Sequence, residues 1–240
     1  MKTIFSKTLP ITALAAMLLT ACSSTQTVAP YEPDQQLNNL LAQHHISAGS
    51  GLECHQQPQQ RVDCHALANQ LGALTLRYPH HSEINLIAAL VYFQTGRTID
   101  SQQLLDKVLS QAKPMPEAAI LRSRIALQEG NINLARTLLN RQLQLVPDHP
   151  ELYASLASTY YLEGRYEQSQ SMLQTADRLG APAWRTSYHL ALVHEAQQHW
   201  PTACQYYVQT LNRQPAHAKS LSRLLALSEH QACKVAYHTL

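Results

Sequence analysis

Thirteen histidines and five cysteines are the side chains of this 240-residue chain best able to do chemistry. The sharpest arrangement is Cys54-His55 followed by Cys64-His65, two thiols and two imidazoles of the kind that complete a tetrahedral zinc shell. Side chains on adjacent residues diverge, however, and this spacing matches no familiar zinc pattern, so the cysteines read as disulfide partners. His44, His45, His80 and His81 fall near loops or helix ends and read as solvated. There is no CxxCH for covalent haem and no CxxC for thioredoxin-like redox exchange. The nucleophile elbow GxSxG, the zinc motif HExxH and the phosphate loops GxGxxG and GxxxxGK[ST] are missing too. No catalytic residue, no cofactor and no bound metal are therefore expected.

Composition narrows the classes further. With 45% hydrophobic and 14% charged residues the chain is rich enough in apolar side chains to build a core. Formal charge is +2, but Lys2 and Lys7 lie in a leader-like segment, and without them 16 basic residues face 16 acidic ones. No basic run remains, so nucleic acid is not an expected partner. Seven glycines are too few for a nucleotide-binding α/β fold, and polar bulk comes from glutamine.

The first residues read as an address. Two lysines precede the apolar run Leu9–Thr20, which is too short for a stable transmembrane helix, and Leu19-Thr20-Ala21-Cys22 follows. This layout resembles the lipobox of bacterial lipoproteins. The resemblance implies cleavage before Cys22, acylation of its thiol and new amine, and stable anchoring by several acyl chains, each buried CH₂ contributing roughly 0.8 kcal/mol. Ser23, where retention usually needs aspartate, implies sorting to the periplasmic face of the outer membrane. Residues 1–21 are then the signal peptide and 22–36 a lipidated flexible tether, rich in turn and breaker residues. Removing Cys22 leaves Cys54, Cys64, Cys204 and Cys233. An even number in an oxidising compartment points to disulfides, with three pairings possible and the two close pairs the economical choice.

What positions these residues is an internal repeat. Gly96, Gly130 and Gly164 are evenly spaced, and one more step of the same length lands on Gln198. Five positions after each come Ser101, Ala135, Ser169 and Ala203, and nine after come Leu105, Leu139, Leu173 and Tyr207. The stretch 150–183 carries Tyr153, Leu156, Ala157, Tyr160, Gly164, Tyr166, Ser169, Leu173, Ala176 and Pro182. On these residues the chain resembles the tetratricopeptide repeat family, over about 82–217. The interval between the glycines matches that family's unit, about 34 residues long. The chain departs from the family's pattern at Arg122, an apolar position, and at His194 and Gln198, where tyrosine and glycine are usual. The implied fold is all-α: a right-handed superhelical solenoid of tetratricopeptide helix-turn-helix repeats with a capping helix.

The physical reading agrees. Small residues (Ala89, Ala157, Ala191) let two helices approach, glycine closes the first helix in the left-handed conformation, and proline ends the second. One hairpin cannot bury its apolar face, so units must stack and the ends must be capped. The expected order is an N-terminal helical region with a degenerate half-repeat at 37–81, repeats at 82–115, 116–149, 150–183 and 184–217, and a capping helix and tail at 218–240. In such a stack Cys204, near the start of one second helix, and Cys233, just beyond the capping helix, lie side by side.

The resemblance also locates a binding surface. In tetratricopeptide proteins the first helix of each unit lines a concave groove. Here that gives Leu86, Leu90 and Phe93, then Ile120, Arg124 and Leu127, then Ala154, Ser158 and Tyr161, then Tyr188, Leu192 and Glu195. The mostly apolar stripe suits an apolar helix face or an extended peptide of another envelope protein. Tetratricopeptide lipoproteins of this size are similar to the pilotins of type IV and tight-adherence (Flp) pilus systems. The implied role is a non-enzymatic scaffold assembling an envelope machine. Alternatives are an adaptor for peptidoglycan hydrolases and a periplasmic metal or redox protein using the Cys54–His65 segment.

Overall fold

A computed structural model of the chain describes residues 32–44, 46, 63–111, 113–227 and 233. Among these residues are eleven helices and no strand. They are α1 (Pro33–Gln43), α2 (Cys64–Arg77), α3 (Ser82–Gln94), α4 (Thr98–Leu109), α5 (Pro116–Gln128), α6 (Ile132–Leu145), α7 (Pro150–Leu162), α8 (Tyr166–Arg178), α9 (Ala183–Ala196), α10 (Trp200–Arg213) and α11 (Ala218–Leu227). The all-α solenoid implied by the repeat is what they build. Helices α3 to α10 form four hairpins, and each second helix touches the first helix of its own unit and of the next.

The repeat register becomes a core register. Leu105, Leu139, Leu173 and Tyr207 are all fully buried, as are Ser101, Ala135, Ser169 and Ala203. Facing them across each hairpin are Ala89, Ser123, Ala157 and Ala191, whose small side chains bring the two backbones together. Burying one leucine of this set contributes roughly 1.5–3 kcal/mol. A buried serine needs a partner, and Ser101 Oγ donates to the Ala89 carbonyl at 2.7 Å, tying α4 to α3. Arg122, the departure from the apolar pattern, is buried with its Nε donating to Asp106 at 2.9 Å on α4. Its guanidinium stays enclosed, with Nη1 3.9 Å from Glu129, so the apolar position holds a buried guanidinium paired with Asp106.

Gly96, Gly130 and Gly164 end their helices at φ of +80°, +76° and +73°, the left-handed region. Gln198 takes the same turn at φ 60° and carries a Cβ there. A left-handed residue with a side chain costs about 1 kcal/mol or more. Gln198→Gly is therefore expected to raise stability by about 1 kcal/mol, read as a shift of the denaturant midpoint at unchanged slope. A lowered midpoint would show that the Gln198 side chain holds more than the turn costs.

The N-terminal region corrects one expectation. The tether expected over 22–36 ends earlier, because α1 starts at Pro33. Proline reads as a breaker in sequence, but at the first helical position its missing N–H is not needed. Asp34 sits favourably in that first turn, and Leu37, Leu40 and Leu41 bury against α2 and α3. His81, expected in solvent, caps α3 instead. Its Nδ1 accepts from Ile84 N–H at 3.3 Å while Nε2 meets Asp34 at 3.0 Å, pinning α1 to the first full unit.

Candidate partner-binding groove

The inner side of the solenoid follows from which helices meet. The first helices approach one another, α3 with α5 and α5 with α7, as helices on the inside of a curved stack must. Residues at i, i+4 and i+7 share one helix face. Leu86, Leu90 and Phe93 on α3 and Ile120, Arg124 and Leu127 on α5 are so aligned. Tyr161 on α7 and Tyr188 and Leu192 on α9 continue the row.

Apart from Arg124, which is exposed, all of these side chains are half-buried. Leu90 packs against the cores on both sides of α3, and Leu86 and Phe93 against the core shared by α3, α4 and α5. Ile120 rests on the Leu139–Leu152 cluster, Tyr161 on Leu173, and Tyr188 and Leu192 on the C-terminal cluster. The stripe's inner edge packs between units while its outer edge remains exposed.

At the C-terminal end the groove becomes aromatic and charged. The Tyr188 ring lies 6.2 Å from Tyr207 and 4.7 Å from His217, and Trp184 lies 5.4 Å from His217. Glu195 accepts a hydrogen bond from the Tyr207 hydroxyl and a 2.7 Å bond from Arg223 Nη1 on α11. Burial pushes the Tyr161 and Tyr188 hydroxyls up, and the Tyr207 hydroxyl is pushed up by burial and by Glu195. All three stay neutral hydrogen-bonding groups. Burial lowers His189 to about 4, with Arg185, His217 and Lys219 adding to the effect, so it too is neutral. A cleft of about 30 Å³ between α7, α8 and α9, lined by Ser158, Tyr161, His189 and Leu192, has room for a few waters.

Arg223 was not among the residues the sequence placed in the groove. The signal was there, since Lys219 lies one repeat step beyond Arg185, and α11 repeats the register of a first helix. Reading α11 as a cap hid its inner face. The leucines of that helix divide between core and surface. Leu224 and Leu227 are buried, but Leu221 and Leu225 are 41% and 45% exposed.

Of the cysteines, Cys204 and Cys233 form a disulfide with Cα atoms 5.7 Å apart, inside the cluster that holds Tyr207, Leu224 and Leu227. Cys64 is buried at the start of α2. Cys22 and Cys54 lie outside the described residues, as does His55, so the anchor, the Cys54–Cys64 pairing and the metal alternative there are not addressed by the fold. Among the described residues no three His, Cys, Asp or Glu side chains converge as a metal would require, and no helix is long and apolar enough to cross a membrane. Ser110 and Lys113 have SxxK spacing, but both are exposed and the Ser110 hydroxyl donates to the Lys107 carbonyl.

Residues 126–188 match the tetratricopeptide repeat family. The cow protein described as BBSome complex member BBS4 is 23% identical over 150 residues, which is 62% of this chain. This chain spans 29% of that protein's length. Among solved structures, a thermophilic tetratricopeptide protein of Thermus thermophilus superposes with a TM-score of 0.61 at 14% identity, covering 68% of this chain and 90% of that one. YrrB, a tetratricopeptide protein with an unusual peptide-binding site, gives a TM-score of 0.53 at 12% identity, with 80% and 91% covered.

Proposed function

We propose that this tetratricopeptide solenoid is a non-enzymatic scaffold, held at the periplasmic face of the outer membrane by lipid on Cys22. There it assembles an envelope machine of the pilus or secretin class. One observation carries the scaffold reading: the first helices align half-buried apolar side chains from Leu86 to Leu192 along one inner face. An apolar strip with scattered polar points gives area for an apolar side of a helix or peptide, and hydrogen-bonding groups to fix its register. The peptide-binding site of the similar protein YrrB supports this use of the fold. The lipid anchor rests on the sequence from Met1 to Ser23, and the pilus assignment on the likeness to pilotins.

Two measurements test the reading. Cys22→Ser is expected to leave an unprocessed precursor that takes up no palmitate label; a variant processed and sorted like the natural protein would remove the anchor. Crosslinking of the lipidated protein in membranes is expected to capture a secretin subunit or another pilus-assembly component. Capture of a murein hydrolase instead would move the chain to the hydrolase-adaptor role.

A further inference from the structure

The groove has two rims, and one of them carries an ordered charge pattern. At the first-turn position of each first helix stand Glu83, Glu117, Glu151, Arg185 and Lys219, each one repeat step from the last. They share the face of the groove residues, since Glu83 precedes Leu86 and Leu90 by three and seven positions, and the other units repeat this offset. Glu83, Glu117 and Lys219 are exposed, Glu151 and Arg185 half-buried. At the far end of the same helices the corresponding positions are Gln94, Gln128, Leu162 and Ala196, and the carboxylates beside them, Glu129, Glu163 and Glu195, are already paired with Arg122, Arg136, Arg165 and Arg223.

Helix stability alone accounts for only part of this. Glutamate in a first turn complements the helix dipole, so Glu83, Glu117 and Glu151 each have a local reason to be there. Arg185 and Lys219 oppose the dipole at the same register, in helices with no acidic residue in the first turn. Such a conflict between local preference and observed residue marks positions held for another purpose. The Arg185 guanidinium lies 5.2 Å over the Trp184 ring, which holds it in place. His149 stands between the two central carboxylates, 3.6 Å from Glu117 and 3.4 Å from Glu151.

We propose that the groove takes an extended segment of a partner protein that is apolar along its middle, basic over the half facing α3, α5 and α7, and acidic over the half facing α9 and α11. The proposal rests on the groove reading above and gives its ligand a polarity. The dimensions fit. Packed helices lie about 8–10 Å apart, and a segment in the extended polyproline II form turns once every three residues at about 3.1 Å each, so every third side chain meets a new rim charge. Five units then span about 40 Å, or about a dozen residues. On the floor, exposed Arg124 and the Glu195–Arg223 pair offer groups for the segment's backbone. Charges on a rim chiefly set orientation and register, which an apolar strip by itself leaves undefined.

The test is a selection of phage-displayed 12-residue peptides on the full mature chain, followed by anisotropy titration of a selected peptide. Selected sequences are expected to carry lysine or arginine in one half and aspartate or glutamate in the other. Glu117→Lys with Glu151→Lys should weaken binding roughly tenfold at low salt, with a smaller effect at high salt. A peptide with lysine and glutamate exchanged should recover binding to that variant, which a mere loss of folding would not allow. Apolar peptides without charge order, blocked by Leu127→Glu but indifferent to Glu117→Lys with Glu151→Lys, would overturn the polarity and leave the groove standing. Peptides indifferent to both sets would remove the groove itself. A concentration-dependent dimer abolished by Glu117→Lys with Glu151→Lys would assign the rim to a second copy and overturn the proposal.

Discussion

Leu127→Glu is expected to lower partner capture tenfold or more and to leave the melting curve where it was. Leu127 lies near the end of α5 on the inner face, half-buried, with no part in the buried clusters that join neighbouring units. Burying such a side chain under a partner contributes roughly 1.5–3 kcal/mol, and each 1.4 kcal/mol is tenfold in affinity. Leu90→Glu behaves differently. Leu90 packs against the cores on both sides of α3, so a carboxylate there enters packed surface and lowers melting temperature together with capture. The two variants measured side by side, by capture from membranes and by thermal unfolding, separate groove from core. Unchanged capture by well-folded Leu127→Glu would move the binding site to the convex side or to the Tyr31–Cys64 segment.

Removing the Cys204–Cys233 disulfide is expected to cost about 3.5 kcal/mol, since it closes a loop with a sequence separation of 29. The effect is local. In a solenoid each unit contacts only its neighbours, and α11 is held on one side by α10. With both cysteines replaced by alanine, amides of α11 should exchange first, while those of α3 to α6 keep their protection. Loss of α11 also frees Arg223 from Glu195, so binding at the acidic-selective end of the groove should weaken with it. Hydrogen exchange by mass spectrometry reads both ends in one experiment. Uniform loss of protection along the chain would show that the stack unfolds as one cooperative unit and that the bridge supports all of it.

The recurrence of glycine, small residues and leucine at the repeat spacing determined the helix pairs, their order and their buried positions. Each unit solves the same packing problem with neighbours at fixed sequence distance, so identity at one register predicts burial at that register. Ser101, Ala135, Ser169 and Ala203, all enclosed, are an example. Such local arithmetic does not reach questions answered by a third helix. Pro33 looked like a breaker because nothing in the sequence shows α1 resting on α2 and α3. Arg122 looked like a fault in the pattern because Asp106 lies 16 residues away on the preceding helix. The groove residues were legible as a face, but how far each one is shared with the core depends on the angle between successive units, which no spacing encodes. The bond from Arg223 to Glu195 has the same origin. Its partners are 28 residues apart, and they meet only because α11 stacks as a fifth first helix, bringing a guanidinium over a carboxylate already held by Tyr207.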